Sequence, residues 1–246
     1  MSRVAVVTGG GRGIGAAVTR ALIAEGVTVW VAARSKAELA AVAKSTGARA
    51  HPTDVTDPTS VQALADAVGE ADILINNAGV AHSAPLAKIT LEDWNRLFAV
   101  NATGTLLCTQ AFLPGMVARK RGRVVNVASV AGLAGGRYIA AYAAAKHAVV
   151  GFTRSVAEEV GASGVTINAV CPGYVDTDMT KESVARIRAN TGKSDAEALA
   201  AILSHTPQGR LITPEEVADT VVWLCGEGAR GVNGQAIVLD GGNLRS

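Results

Sequence analysis

Aromatic side chains are scarce in this sequence, 4% of its 246 residues, with three each of Phe, Trp and Tyr. A core built without them is filled by small aliphatic groups, which suits tight helix-on-sheet packing. Cysteine is also sparse. Cys108, Cys171 and Cys225 are odd in number and far apart, with no CxxC and no Cys/His cluster at zinc spacing. A disulfide framework and a metal site are thereby excluded, and buried free thiols in a reducing compartment are expected. No excess of one charge exists either: the net charge is +2, with both signs mixed along the chain. This argues against nucleic acid or an anionic membrane as partner. Low-complexity stretches and internal repeats are lacking. No segment reads as long enough to span a bilayer, and the leading run Val4-Ala5-Val6-Val7 is too short for a secretory core, so a cytoplasmic location is expected.

What is abundant is Ala, Val and Gly. Short β-branched runs alternate with Ala-rich stretches. Strands are expected at Val4–Thr8, Val27–Ala33, Arg49–Pro52, Ile73–Asn76, Arg123–Ala128, Val165–Val170 and Ala236–Leu239. Several are apolar without alternation, as in strands covered on both faces. Helices are expected from Gly13, from Lys36, after Asp57-Pro58, through Leu91–Ala118, through Tyr138–Val160, and from the capping box Thr213-Pro214-Glu215-Glu216. The pattern predicts an α/β chain of one domain, 1–246, with a doubly wound, mainly parallel seven-stranded sheet and helices on both faces. Residues 178–207 interrupt the alternation beyond a strand's carboxyl end, where a lid over a site would lie.

The first strand runs into Thr8-Gly9-Gly10-Gly11-Arg12-Gly13-Ile14-Gly15 and then a helix. Glycines let the backbone approach a pyrophosphate, which the helix N-terminus favours electrostatically. Ala16 stands where a G-x-G-x-x-G pattern read from Gly11 would need its last glycine, and no Walker lysine follows. Context therefore carries this reading: a strand, a glycine turn and a helix at the start of the fold. The second strand ends Ala32-Ala33-Arg34, with no acid to hold ribose hydroxyls. Arg34, with Arg12 approaching from the glycine loop, suits a 2′-phosphate, so NADP(H) is the expected cofactor.

Ser129 is expected to close the fifth strand, and Tyr142 and Lys146 follow at i and i+4 on one helix face. Reducing a ketone needs a proton donor and oxidising an alcohol needs a base. A phenol with a pKa near 10 is a poor base until a neighbouring ammonium stabilises its anion.

With these residues in place, the sequence resembles the short-chain dehydrogenase/reductase family over essentially its whole length. The pieces are TGGGRGIG at 8–15, Asp54-Val55, Asn76-Asn77-Ala78-Gly79, Asn101, Ser129, Tyr142-Ala-Ala-Ala-Lys146, and Pro172-Gly173-Tyr174-Val175-Asp176-Thr177. The resemblance implies a Rossmann fold. It implies that Tyr142 is the general acid/base, that Lys146 binds the nicotinamide ribose and lowers the phenol's pKa, and that Ser129 orients the substrate oxygen. Asn101, in a kink of the long helix, would hold a water of the proton relay. Gly9, Gly11, Arg12, Gly13, Ile14 and Gly15 would form the phosphate turn. Asp54 and Val55 would flank the adenine, Asn77, Ala78 and Gly79 line the cofactor, and Pro172, Gly173, Val175 and Thr177 embrace the nicotinamide. A homotetramer built through the two long middle helices is implied by the same analogy.

The stretches INAVCPGYVDTDMT and QGRLITPEEVADTVVWLC are similar to those of 3-oxoacyl thioester reductases. Arg119-Lys120-Arg121 and Arg123 would form a patch for an acidic carrier protein, or equally a solvated basic loop. Ser163-Gly164, where a second basic residue is usual, and the acids Glu158-Glu159 oppose a carrier. The expected substrate is therefore a 3-oxoacyl group on coenzyme A, or a free small ketone. Lys181, Arg186, Arg188 and Lys193 would attract coenzyme A phosphates or form a solvated helix face. His82 reads as a surface residue at the site rim and His147 as structural, while His51 and His205 carry no signal. The rivals are a dehydrogenase of a small or cyclic secondary alcohol and a nucleotide-sensing protein without catalysis, the latter opposed by the complete Asn101, Ser129, Tyr142, Lys146 set.

Overall fold

The computed structural model describes residues 3–204 and 206–244, so His205 lies outside the described residues. The expected strands form, with shifted edges: β1 Val4–Thr8, β2 Thr28–Ala33, β3 Arg49–Pro52, β4 Ile73–Asn76, β5 Gly122–Val127, β6 Val165–Pro172 and β7 Ala236–Leu239. They make one seven-stranded sheet in the order β3-β2-β1-β4-β5-β6-β7. Every pairing is parallel, so the expected mainly parallel sheet is wholly so. The order reverses between β1 and β4, and the carboxyl ends of these strands open a crevice there.

Alternate side chains of each strand serve opposite faces. Ala5 and Val7 join Val29, Val31, Ile73, Ile75 and Val125 on one face, under α1 (Gly13–Ala24), α2 (Lys36–Thr46) and α9 (Pro214–Cys225). Val6 joins Leu74, Val124 and Ile167 on the other, under α3 (Pro58–Val68), α5 (Gly104–Ala118) and α6 (Ala140–Val160). The three cysteines are buried and free.

Local chemistry starts and stops the helices. Ser35 caps α2 by accepting from the Glu38 amide at 3.3 Å, and Gly47, at φ +78°, ends it in the left-handed region. Asp57 caps α3 ahead of Pro58, and Thr213 with Glu216 forms the expected capping box of α9. Helix α6 begins at Ala140 rather than Tyr138, because Tyr138 sits at φ +68°, outside helical space.

Residues Leu91–Ala118 form one continuous helical rod: α4 (Leu91–Phe98), a π-helical turn (Ala99–Thr103) and α5. By length and composition this rod is apolar enough to cross a membrane, which corrects the expectation that no segment is. Its apolarity serves the core: Leu97, Cys108, Phe112 and Met116 are buried, the last three in the cluster over β4, β5 and β6.

The interrupting segment is two helices, α7 (Asp178–Thr191) and α8 (Asp195–Leu203). Gly192, at φ +71°, ends the first, and Ser194 with Glu197 forms a capping box for the second.

Candidate active site

A cleft of about 590 Å³ runs across the carboxyl ends of the strands. Every residue expected to take part in catalysis or in cofactor binding lines it except Gly15.

At one end lies the glycine turn. The Gly9 amide donates to the Ala32 carbonyl at 2.7 Å, tying the turn to β2. Asn77 holds it from the other side: its side-chain amide donates to the Thr8 and Gly9 carbonyls at 2.9 and 3.0 Å. The Thr8 hydroxyl accepts from the Asn77 and Ala78 amides at 3.0 and 3.1 Å. Thr8 thus welds the ends of β1 and β4 together at the switch point, a role the sequence reading did not assign. A β-carbon at Gly15 would lie 2.3 Å from the Gly9 carbonyl oxygen. Gly15 therefore supports the turn from behind and is no part of the lining. These atoms make the cradle a pyrophosphate needs, with the α1 N-terminus behind it.

The second-strand corner holds Arg34, Asp54 and Val55. The Asp54 carboxylate accepts from the Thr56 amide and hydroxyl at 2.9 and 2.7 Å, which pulls its pKa below the ordinary value, with Arg34 adding to the pull. Arg12 does not stand alone beside Arg34. It lies 3.7 Å from Glu38 of α2 and 3.6 Å from Asp178 of α7, so two carboxylates share the corner. These pairs are exposed and individually weak.

In the middle of the cleft are Asn101, Ser129, Tyr142 and Lys146. Asn101 sits in the π-helical turn, where the rod bends. Its side chain donates to the Val80 and Leu97 carbonyls and accepts from the Val80 amide at 3.1 Å, locking the rod to the segment after β4. Ser129 lies just past the end of β5 instead of closing it, and its hydroxyl accepts from the Ala131 amide at 3.1 Å. The Lys146 ammonium is buried, donates to the Val127 carbonyl at 2.8 Å and lies 5.9 Å from the centre of the Tyr142 ring. Burial brings its pKa down to about 8. Burial pushes the Tyr142 phenol up from its ordinary value, partly countered by a hydrogen bond with Ser129. In this arrangement Lys146 is not among the groups that act on the phenol, and desolvation dominates its shift.

A buried amide ladder holds the middle rigid. The Asn76 side chain donates to Thr109 and Asn126 at 3.0 and 2.9 Å, and Asn126 donates to Thr153 at 2.8 Å. Asn126, Thr109 and Thr153 were not singled out from sequence, where their signal is polar side chains within apolar strands and helices.

Beyond lies the last wall. Pro172 ends β6, the Gly173 amide donates to the Leu239 carbonyl at 2.8 Å, and Val175 pairs with Ile212. Thr177 occupies the N-cap position of α7 without a side-chain capping bond and comes close to the glycine turn, 3.2 Å from where a Gly13 β-carbon would lie. Tyr174, Met179, Ser183, Arg186 and Ile187 carry this wall away from the turn.

The basic run at 119–123 proves to be largely neutralised. Arg119 faces Glu70 at 3.5 Å, Arg121 holds Asp72 at 2.7 Å, and the buried Arg123 faces Glu227 at 3.4 Å. His82 faces Asp93 at 3.7 Å on the cleft rim, and His147 bonds its own helix at the Ala143 carbonyl. Among the described residues no cluster of His, Cys, Asp or Glu could hold a metal.

An all-parallel sheet with a glycine turn at its switch point, opening on a Ser, Tyr and Lys cluster, defines a dinucleotide-dependent oxidoreductase. Residues 3–188 match the family described as short chain dehydrogenase, and the chain belongs to that family. It is 37% identical over 246 residues to the 3-oxoacyl-(acyl-carrier-protein) reductase FabG of Vibrio harveyi, covering 98% of this chain and 96% of that one. It is 36% identical over 251 residues to the D-beta-hydroxybutyrate dehydrogenase of Cupriavidus necator, covering 98% and 97%. A solved structure of a tryptophan variant of the actinorhodin polyketide ketoreductase with NADPH superposes with a TM-score of 0.95 at 38% identity, covering 98% and 97%. The chain is thus a ketoreductase of this family, an oxidoreductase acting on CH–OH groups with a nicotinamide cofactor.

Proposed function

We propose that the protein reduces the ketone of a 3-oxoacyl thioester with NADPH, as one domain with 178–207 as its substrate lid. The observation that carries this reading is the convergence of Ser129, Tyr142 and the buried Lys146 on the cleft that starts at the glycine turn. When bound, the nicotinamide supplies hydride to the carbonyl carbon. Tyr142 donates its phenolic proton to the carbonyl oxygen as charge develops there, and Ser129 holds that oxygen beside the phenol. Lys146 steadies the resulting phenolate and the nicotinamide ribose. Asn101, fixed at the bend of the rod, ends a relay that returns a proton through Lys146.

Arg34 and Arg12 favour the 2′-phosphate of NADP(H), with Gly9, Gly11, Gly13 and Ile14 at the pyrophosphate, Asp54 and Val55 at the adenine, and Asn77, Ala78 and Gly79 along the riboses. Pro172, Gly173, Val175 and Thr177 enclose the nicotinamide. Coenzyme A is favoured over a carrier protein as the acyl carrier. The basic run that would meet an acidic carrier spends Arg119, Arg121 and Arg123 on Glu70, Asp72 and Glu227, and Glu158 and Glu159 stay exposed nearby in sequence to Ser163. A homotetramer accords with the exposed face of α5, which carries Leu106, Pro114 and Val117 opposite the face built into the core.

The test is oxidation of NADPH against NADH by the purified protein with acetoacetyl-CoA, a carrier-bound acetoacetyl group, and cyclic ketones. Fast NADPH-dependent turnover of the coenzyme A thioester, with slower turnover of the carrier-bound form, is expected. Turnover confined to cyclic ketones would overturn the thioester reading.

A further inference from the structure

Of the four basic residues on the interrupting segment, three do not face the cleft. Lys181 lies 3.6 Å from Asp178, Arg188 lies 3.3 Å from Asp195, and Lys193 is exposed beside Ser194. Arg186 differs from all of them. It lines the cleft on the α7 face that also presents Met179, Ser183 and Ile187, at the i, i+4, i+7, i+8 spacing of one helix side. It is partly buried, and its Nε is fully buried with no hydrogen-bond partner among the described residues. No carboxylate of the described residues pairs with it.

The acids that share the cleft are already engaged. Glu38 and Asp178 face Arg12, and Asp54 is held by Thr56. Only the Arg186 Nε is out of water without a partner, the rest of the side chain being partly open to the cleft, where the terminal nitrogens of its guanidinium can hold an anion. Arg186 lies eight residues into α7 from Asp178, roughly 12 Å along the helix axis, so it stands well away from the glycine turn. Its anion is accordingly not the pyrophosphate seated there.

We propose that Arg186 is the substrate's anion-binding residue, and that the ketone taken by this enzyme carries a negative charge remote from its carbonyl. Two sources share this chemistry: the carboxylate of a free 3-oxo acid and a phosphate of an acyl-pantetheine arm. Arg137, exposed on the loop that leads to α6 and also lining the cleft, adds positive charge from outside that helix. The inference rests on the ketoreductase reading and sharpens it by naming a charge the substrate must bear.

The experiment compares wild type, Arg186→Gln and, as control, Arg188→Gln. Three ketones share one acetoacetyl group: acetoacetate, acetoacetyl-CoA and the neutral N-acetylcysteamine thioester. Arg186→Gln is expected to raise KM for at least one charged ketone tenfold or more while leaving the neutral thioester and the NADPH Kd within about twofold. Arg188→Gln should leave all of them unchanged. An effect confined to acetoacetate identifies the carboxylate, and one confined to acetoacetyl-CoA identifies the phosphate. Equal loss on the neutral thioester, a weakened NADPH Kd, or no change at all would overturn the proposal. Should no ketone be turned over, the function proposed above fails separately. Arg186 is then judged by titrating the NADP⁺-loaded protein with acetoacetate and with coenzyme A: binding lost in Arg186→Gln supports it, and no binding overturns it.

Discussion

The two ends of the cleft are built on different principles. The glycine-turn end is made of backbone and short side chains fixed by neighbours: Gly9 on Ala32, Asn77 on the Thr8 and Gly9 carbonyls, Thr8 on Asn77 and Ala78. The opposite end is made of long side chains on α7, whose one buried residue is Thr180, held through its hydroxyl to the Val175 carbonyl. The first end can serve one ligand shape and is costly to alter. The second can change its side chains with little cost to the fold, which is where members of one family can come to differ in substrate. The proposed catalytic residues Tyr142, Ser129 and Lys146 sit between them and belong to the rigid side of this contrast.

The largest effect is expected from the rigid middle. Tyr142→Phe should lower kcat for ketone reduction by about 10³-fold, since a proton donor at the reacting oxygen contributes on that order. NADPH binding should stay within a few fold, as measured by fluorescence titration. Appreciable residual turnover would remove the phenol from its role and break the contrast at its centre. Next is Gly15→Ala. Its β-carbon would meet the Gly9 carbonyl oxygen at 2.3 Å, so the turn must shift. A loss of about 2–3 kcal/mol in unfolding free energy is expected, whereas Ser183→Ala on α7 should fall within about 0.5 kcal/mol. Equal losses in denaturant titrations would show that the two ends are equally rigid.

How much of this was legible follows the same division. The glycine turn, Ser129 just past β5 and the i, i+4 pair Tyr142 and Lys146 are legible as neighbours of one cleft because their placement depends on residues close in sequence. The π-helical turn that sets Asn101 was anticipated only as a kink implied by family resemblance. Tertiary partners were not readable. Arg12 meets Glu38 and Asp178, which lie in separate helices, and Arg119, Arg121 and Arg123 meet Glu70, Asp72 and Glu227, all distant along the chain. The apolarity of Leu91–Ala118 was missed for another reason: it is spread over a rod whose buried side faces the sheet, with no unbroken apolar run. The break at Gly192 and the Ser194/Glu197 box carry a local signal within a segment of polar composition.

A smaller effect is expected from pH. Burial brings Lys146 to about 8, so its charge is present below that pH and lost as pH rises through it. Tyr142, pushed above its ordinary value, remains a phenol over the same window. Reduction needs both the proton on Tyr142 and the ammonium behind it. Its kcat/KM should therefore be level from pH 6 to about 7.5 and fall beyond about 8, approaching tenfold per pH unit if the ammonium is essential. A rate that stays level to pH 9.5 would show that Lys146 keeps its charge once cofactor fills the cleft.

The smallest effect belongs to the corner where the rigid turn meets an exposed side chain. Arg34 is exposed at the end of β2 and acts on Asp54 through charge alone, while Arg12 is shared between Glu38 and Asp178. A 2′-phosphate entering there meets both arginines, but it also meets two carboxylates that dilute their attraction. Arg34→Asp should consequently shift the ratio of kcat/KM for NADPH over NADH by about tenfold toward NADH, worth ~1.4 kcal/mol, and the shift should shrink in high salt because the charges are solvated. The reverse change, Glu38→Gln, should move the ratio a few fold the other way by freeing Arg12. If Arg34→Asp leaves the ratio unchanged while Glu38→Gln moves it, the 2′-phosphate is read from the glycine turn by Arg12 rather than from β2, and cofactor choice joins the rigid end of the cleft.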